Sequence, residues 1–319
     1  MDLPLSTSNS DGMKGSQFFL RALVVLASIV ILDLACKPAM DALRKVSLRA
    51  NPDNYEMTSY YGAEMATEDM LIIGASRATH HYIPAMLQDS LGLSVRNLGK
   101  DGAYLYCQIC QVRLFLDRYT PKYLIWDVND DYLSHNLDWG DYLEIADYYP
   151  YPLNDFSRSI VKEMGPFQQA SMLSNLYRYN SKLPEYLFAF VSGRNSQSGY
   201  VPLPAEQAFP PEKTDIKVAE NIHPLKAKLL EEALLLCQEK GCRVLLVTSP
   251  SLADDGVQQT KQYEALVNMA RRLSIPYFNY HTDPRFFNDL SLFRDTDHLN
   301  ERGAALYTAC IIEELRSIL

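Results

Sequence analysis

The stretch "MLIIGASR", Met70–Arg77, decides the fold. Four consecutive apolar residues, two of them β-branched, stop at a glycine, which reads as a buried strand running into a tight turn. Outward from it the pattern recurs. "SVRNLG" (94–99) is a second short strand, and Ala103–Tyr119 follows with helical periodicity. "KYLIWDVND" (122–130) is a third strand ending in polar residues. Further on, "HPLKAKLLEEALLLCQEKG" (223–241) is a helix with Pro224 near its start and Gly241 past its end. "CRVLLVTSP" (242–250) is a fourth strand, followed by a helix over Thr260–Leu273, a short strand "IPYFNY" (275–280) and a final helix "ERGAALYTACIIEELRSI" (301–318). Strands alternating with helices predict an α/β domain over 70–319 whose parallel sheet is covered on both faces.

Asp131–Asp215 interrupts this alternation. Up to Tyr200 it carries nine of the 21 tyrosines, several prolines and an amphipathic helical stretch, "SMLSNLYRYNSKLPEYLFAFV". It is too long for a simple loop and is expected as an insertion at the carboxyl edge of the third strand, either bordering a substrate cleft or covering the sheet edge.

Composition narrows the class. An apolar content of 47% with 22% charged residues suits a chain with an ample core. A net charge of −9, without a basic run, argues against nucleic-acid binding, which draws on clustered Lys and Arg. The six cysteines have no zinc spacing: Cys107 and Cys110 fall in an apolar helical stretch and read as buried thiols, with a redox pair as the alternative. Cys237 and Cys242 flank a helix-to-strand turn, and a disulfide there stays open. No metal or organic cofactor is implied.

Ahead of the α/β domain the chain divides into a tail (1–17), an apolar segment (18–36) and a linker (37–69). Phe18–Ala35 as a helix covers about 27 Å, enough for a bilayer core. It reads as a single-pass anchor or an uncleaved signal. Lys14 and Arg21 precede its uninterrupted core, Ala22–Leu32, while Lys37, Arg44, Lys45 and Arg49 follow, so charge counting does not favour export. Cys36 raises lipidation, but Asp33 stands where a lipobox wants an aliphatic residue.

In a parallel sheet, ligands sit beyond the carboxyl ends of the strands. There the first strand delivers Ser76, the second Gly99 and the third Asn129; "DTDH" sets Asp295 and His298 three apart before the last helix, which Asn300 or Glu301 opens. These pieces fit acyl transfer. A serine hydroxyl needs a base to take its proton. His298 supplies one near neutral pH, and Asp295 holds the imidazole in the right tautomer. The oxyanion is assigned to the backbone N–H of Ser76, the backbone N–H of Gly99 and the side-chain amide of Asn129. Asp297 is expected to point away. Arg77 reads as an ion-pair partner of Asp101 or Asp130, or as a binder of an anionic substrate group. His80 and His81 read as structural or cleft-lining, and Ser249 as the end of the fourth strand.

Gly-x-Ser after the first strand, Gly after the second, Asn-Asp after the third and Asp-x-x-His before the last helix resemble the SGNH (GDSL-type) hydrolase family over Met70–Leu319. "GASRATHHYIP", "SNLYRYNS", "LLVTSP" and "DTDHLNERGA" are similar to membrane-anchored SGNH proteins of Bacteroidetes. The resemblance implies a three-layer α/β/α sandwich with a five-stranded parallel sheet, and an exported, periplasmic or extracytoplasmic domain. Two departures stand out: Ala75 replaces the Asp of Gly-Asp-Ser, and Asp127 replaces the Gly of Gly-x-Asn-Asp. The expected function is an esterase that removes acyl groups, acetyl above all, from an envelope or extracellular glycan, because aromatic faces suit sugar rings. The alternatives are an O-acyltransferase acting on an exported polysaccharide and a membrane-tethered assembly protein that keeps the fold without turnover.

Overall fold

The computed structural model describes residues 10–129, 132–134, 145–191, 195–205, 221–253 and 260–318. Strands β1 (Met70–Ile73), β2 (Val95–Asn97), β3 (Tyr123–Asp127), β4 (Arg243–Thr248) and β5 (Tyr277–Asn279) form one sheet in the order β2-β1-β3-β4-β5, every neighbouring pair parallel. All five fall on the runs expected from the sequence.

The helices are α1 (Ser10–Ala50), α2 (Thr58–Glu64), α3 (Ser76–His81), α4 (Pro84–Leu91), α5 (Leu105–Leu116), α6 (Asp155–Glu163), α7 (Pro166–Ser171), α8 (Asn175–Arg178), α9 (Lys182–Val191), α10 (Pro224–Glu239), α11 (Lys261–Arg272), α12 (Pro284–Phe287) and α13 (Glu301–Ile318). Side chains alternate across each strand. Leu71, Ile73, Leu124, Trp126, Val244 and Leu246 therefore pack with apolar residues of α5, α10 and α11. Met70, Ile72, Ile125, Leu245 and Val247 pack with Leu87 of α4 and Tyr307, Ile311 and Leu315 of α13. Burial on both faces is why these strands read as continuous apolar runs. The chain steps from β1 to β2 in one direction and from β2 past β1 to β3 in the other, so a crevice opens at the carboxyl ends of β1 and β3.

The stretch expected as a linker, 37–69, is built instead. α1 continues through it to Ala50, and a 3₁₀ turn (Tyr55–Met57) leads into α2. Packing is the reason. Leu48 joins Met57, Tyr60, Tyr186 and Ala189 in an apolar cluster, and buried Arg44 bonds Asp41 and Glu64 at 2.7 Å each. The amino-terminal part of α1 is long and apolar enough to cross a membrane, with mean hydropathy 2.4 over its most apolar window and none of that window buried; a signal sequence has the same character.

The insertion divides its labour. α6 lies on α5, while α8 and α9 lie along α1. The stretch expected as one amphipathic helix is cut into pieces, because Ser174 caps α8 through Tyr177 N–H and Ser181 turns at φ 65°. Six of its tyrosines, Tyr132, Tyr148, Tyr149, Tyr179, Tyr186 and Tyr200, are buried. They serve the core, and the sugar-stacking surface expected from them is not what they form. Tyr142 lies outside the described residues.

Beneath the insertion sits a buried charge cluster. Asp147 accepts from Lys100 and Lys182 and from Ser59 Oγ at 2.9 Å, and Lys182 pairs with Glu185 at 2.9 Å. Burial opposes charge on Asp147, but the two ammonium groups outweigh it and hold its carboxyl below the usual range. Burial, then the neighbouring Asp147 charge, pushes Glu185 the other way. The cysteines are free thiols, Cys237 and Cys242 included, and burial pushes Cys110 up to about 12.

Candidate active site

Strand register sets the site. Ile73 pairs with Trp126 and Ile72 with Asn97, so Ser76 and Asn129, each three residues past a paired position, leave the sheet at one level, with Gly99 beside them. Between β1 and α3 the chain turns at Gly74, whose φ of 155° and surroundings exclude a side chain: a Cβ there would lie 2.7 Å from Ala78 Cβ and 2.8 Å from Asp127 Cβ. That turn puts Ser76 at the first position of α3, half-buried at the crevice.

The carboxyl-terminal half of the site arrives on a closed loop. Phe293 and Leu299 form an antiparallel bridge, and Arg294 N–H donates to the His298 carbonyl at 2.7 Å. Asn300 locks the loop to α13. Its Oδ1 accepts from the N–H groups of Arg302 at 3.0 Å and Gly303 at 3.1 Å, while Nδ2 donates to Ser291 O at 2.8 Å. Inside the loop Asp295 Oδ1 accepts the N–H groups of Asp297 and His298, both at 2.9 Å.

The result is a continuous row. His298 Nδ1 donates to Asp295, at 2.9 Å from Oδ1 and 3.0 Å from Oδ2. With the proton held there, Nε2 accepts from Ser76 Oγ at 2.7 Å. Ser76 meets Asp295 and His298, more than 200 residues further along the chain, as expected from the sequence. Burial raises the cost of charge on Asp295, but the His298 hydrogen bond and imidazole charge, with the two N–H groups, more than offset it and hold the carboxyl below its usual value. Asp297 points away, accepting from Ser251 Oγ at 2.9 Å.

The expected oxyanion donors fare differently. Gly99 lies against α3 so tightly that a Cβ would approach Thr79 N to 2.5 Å. Its N–H, however, donates to Asn97 Oδ1 at 2.8 Å. Asn97 in turn donates to the carbonyls of Ala78 at 2.6 Å and Tyr82 at 3.3 Å, so it fastens the Gly99 turn to the serine's helix. Asn97 is absent from the expected site residues, although a polar residue inside a buried strand is a signal the sequence carries. Asn129 stands at the crevice with its Oδ1 buried and, among the described residues, without a hydrogen-bond partner.

The histidine pair is supporting structure. His81 is fully buried and its Nε2 accepts Leu299 N–H at 2.9 Å, immediately after the candidate base. Burial, then the charges of His298, Arg77 and His80, hold it well below the ordinary histidine value and hence neutral. His80 packs edge-on against His298 with ring centroids 5.6 Å apart, its Nδ1 at 2.7 Å from Val201 O and its Nε2 at 3.2 Å from Asp101. Val201 belongs to the insertion's return segment, which also bonds Thr79 O and, through Leu203 O, Glu301 N–H. That segment, not the tyrosines, borders the site.

Arg77 donates to Ser249 O at 3.3 Å; of its two expected ion-pair partners, Asp101 lies 3.2 Å from His80 Nε2 and Asp130 lies outside the described residues. Ser249 is fully buried and donates to Asp127, which also accepts from Tyr82 OH at 2.6 Å, so neither Ser249 nor Asp127 faces the crevice as a reacting group. A cavity lined by Tyr123, Arg243, Pro276 and Ile318 lies at the amino ends of β3 and β4, the edge opposite Ser76. Among the described residues no cluster of His, Cys, Asp and Glu could hold a metal ion. Compared with known proteins, the chain matches no family model and no curated protein.

Proposed function

We propose that the protein is a serine esterase of the SGNH type, a three-layer α/β/α domain held at a membrane by α1 with its site on the extracytoplasmic side. One observation carries this reading: the unbroken row Asp295–His298–Ser76, with 2.9 Å and 2.7 Å hydrogen bonds. As Ser76 Oγ attacks an ester carbonyl, its proton passes to His298 Nε2, and Asp295 stabilises the imidazolium. The carbonyl oxygen becomes an oxyanion facing the Ser76 N–H and the Asn129 amide, each donor worth about 3 kcal/mol in the transition state. Collapse expels the alcohol, which takes the proton from His298. Water, deprotonated by the same imidazole, then releases the acid and restores Ser76. The buried tyrosines withdraw the argument for a sugar, so the substrate class rests at a carboxylic ester with a small acyl group.

The engaged Gly99 N–H favours one rival, a fold-retaining assembly protein without turnover. Purified full-length protein in detergent separates the two. The esterase hydrolyses a small aryl acetate and is labelled at Ser76 by a serine-directed phosphonate, and Ser76→Ala removes both. Equal turnover by wild type and variant, or no labelling of folded protein, sinks the esterase.

A further inference from the structure

Asp33 closes the apolar stretch of α1, and the insertion is fastened to it. Its carboxylate accepts from Ser174 Oγ at 2.6 Å, from Leu176 N–H at 2.9 Å and from Asn175 Nδ2 at 3.3 Å. Further along α1 the contacts continue in step: Asp41 with Tyr179 OH and Ser47 Oγ to Tyr186 O at 2.8 Å, and just past its end Asn51 Nδ2 donates to Asn195 Oδ1 at 3.0 Å. The domain is therefore strapped along one unbroken helix, beginning at Asp33 near the carboxyl end of its apolar segment.

This arrangement fixes a height. With no break between span and strap, the carboxyl end of the apolar segment Phe18–Ala35, about 27 Å long as a helix, lies beside residues 173–176. The side chains flanking the latch there are apolar and exposed: Leu173 at 85% and Leu176 at 45%. Phe167, exposed at 80%, sits on α7, which Tyr177 OH ties to the same region through Gln168 Oε1 at 2.6 Å.

We infer that Leu173, Leu176 and Phe167 form a foot that enters the interfacial zone of the lipid bilayer crossed by α1. The partner is the lipid surface itself. Amphipathic elements bind such a surface by burying apolar side chains at the border of headgroups and acyl chains. The foot is continuous with the apolar wall of α1 and does not depend on the ester chemistry; it rests on α1 being a span. Its consequence is mechanical: helix and foot together set the height and rotation of the crevice above the bilayer.

The test places tryptophan in the full-length protein, in nanodiscs whose lipids carry bromine on the upper acyl-chain carbons, with unbrominated discs as reference. The fluorescence added by Leu173→Trp and Leu176→Trp is expected to be quenched as strongly as that of Val30→Trp inside the span. Leu306→Trp, on α13 across the sheet, is expected to keep its emission. Quenching of Val30→Trp without quenching of Leu173→Trp and Leu176→Trp overturns the foot and leaves the span standing. Failure to quench Val30→Trp overturns the span, and the foot with it.

Discussion

Two polar clusters made by distant parts of the chain lie on either side of the Gly99 turn, and they are built on opposite plans. Lys100, Asp147, Lys182 and Glu185 form a largely buried set in which two positive groups face two negative ones. The row Asp295–His298–Ser76 is open: His298 is 24% and Asp295 54% exposed at the side chain. In the first, every charge is spent on a neighbour, and removing one leaves another stranded. In the second, a proton is held at one end so that a lone pair stays available at the other. Burial with balance makes structure; partial exposure with a directed proton is what the proposed esterase requires of Ser76.

The sharpest way to break this comparison is Ser76→Ala. Loss of a triad nucleophile costs about 10⁶-fold in kcat, and the half-exposed position predicts an unchanged melting temperature. Asp295→Asn comes next, with a fall of about 10⁴-fold in kcat for an aryl acetate, because the amide no longer keeps the proton on Nδ1. Stability should again hold. A variant that unfolds instead would place the row with the structural cluster.

Asp147→Asn reverses the pattern. It strands Lys100 and Lys182 in a buried place, which costs about 3–5 kcal/mol of stability, read by urea denaturation at pH 7. The pH dependence follows from the sign of the shift. Because its carboxyl is held below the usual range by the two lysines, Asp147 stabilises the fold fully above about pH 4. That contribution disappears as pH falls through the lower, folded value. Wild type and Asp147→Asn should therefore differ most at neutral pH and converge in acid.

What was legible in the sequence divides along the same line. The strands showed themselves because burial on both faces leaves runs such as "MLII" and "YLIWD". That Ser76, His298 and Asp295 meet was legible because the proposed chemistry names residue types and the parallel sheet names their places. The balanced cluster did not. Asp147 and Lys182 lie in the insertion, whose path is set by packing on α1 and α5, and a lysine in sequence carries no sign of burial. Two expectations failed for related reasons. Tyrosine has one face for water and one for the core, and here the core took it. A backbone N–H is invisible in sequence, so nothing there separates a Gly99 open to an oxyanion from one whose hydrogen Asn97 already holds.

Asn300→Ala probes the border between the two plans, with the smallest expected effect. Asn300 is 1% exposed and touches no candidate reacting group, yet it caps α13 and ties the turn before Asp295. Loss of a cap costs about 1 kcal/mol. If the loop owes its shape mainly to the Phe293–Leu299 bridge and His81, that loss appears in the urea midpoint, and kcat falls less than about 10-fold, the equivalent of 1.4 kcal/mol. Asn300→Asp, which keeps the acceptor at the cap and loses the donor to Ser291 O, then recovers most of the stability. A fall in kcat as large as that of Asp295→Asn, with the fold intact, would mean that loop placement governs the reaction as strongly as the carboxylate does. The open row would then depend on buried satisfaction just as the charge cluster does.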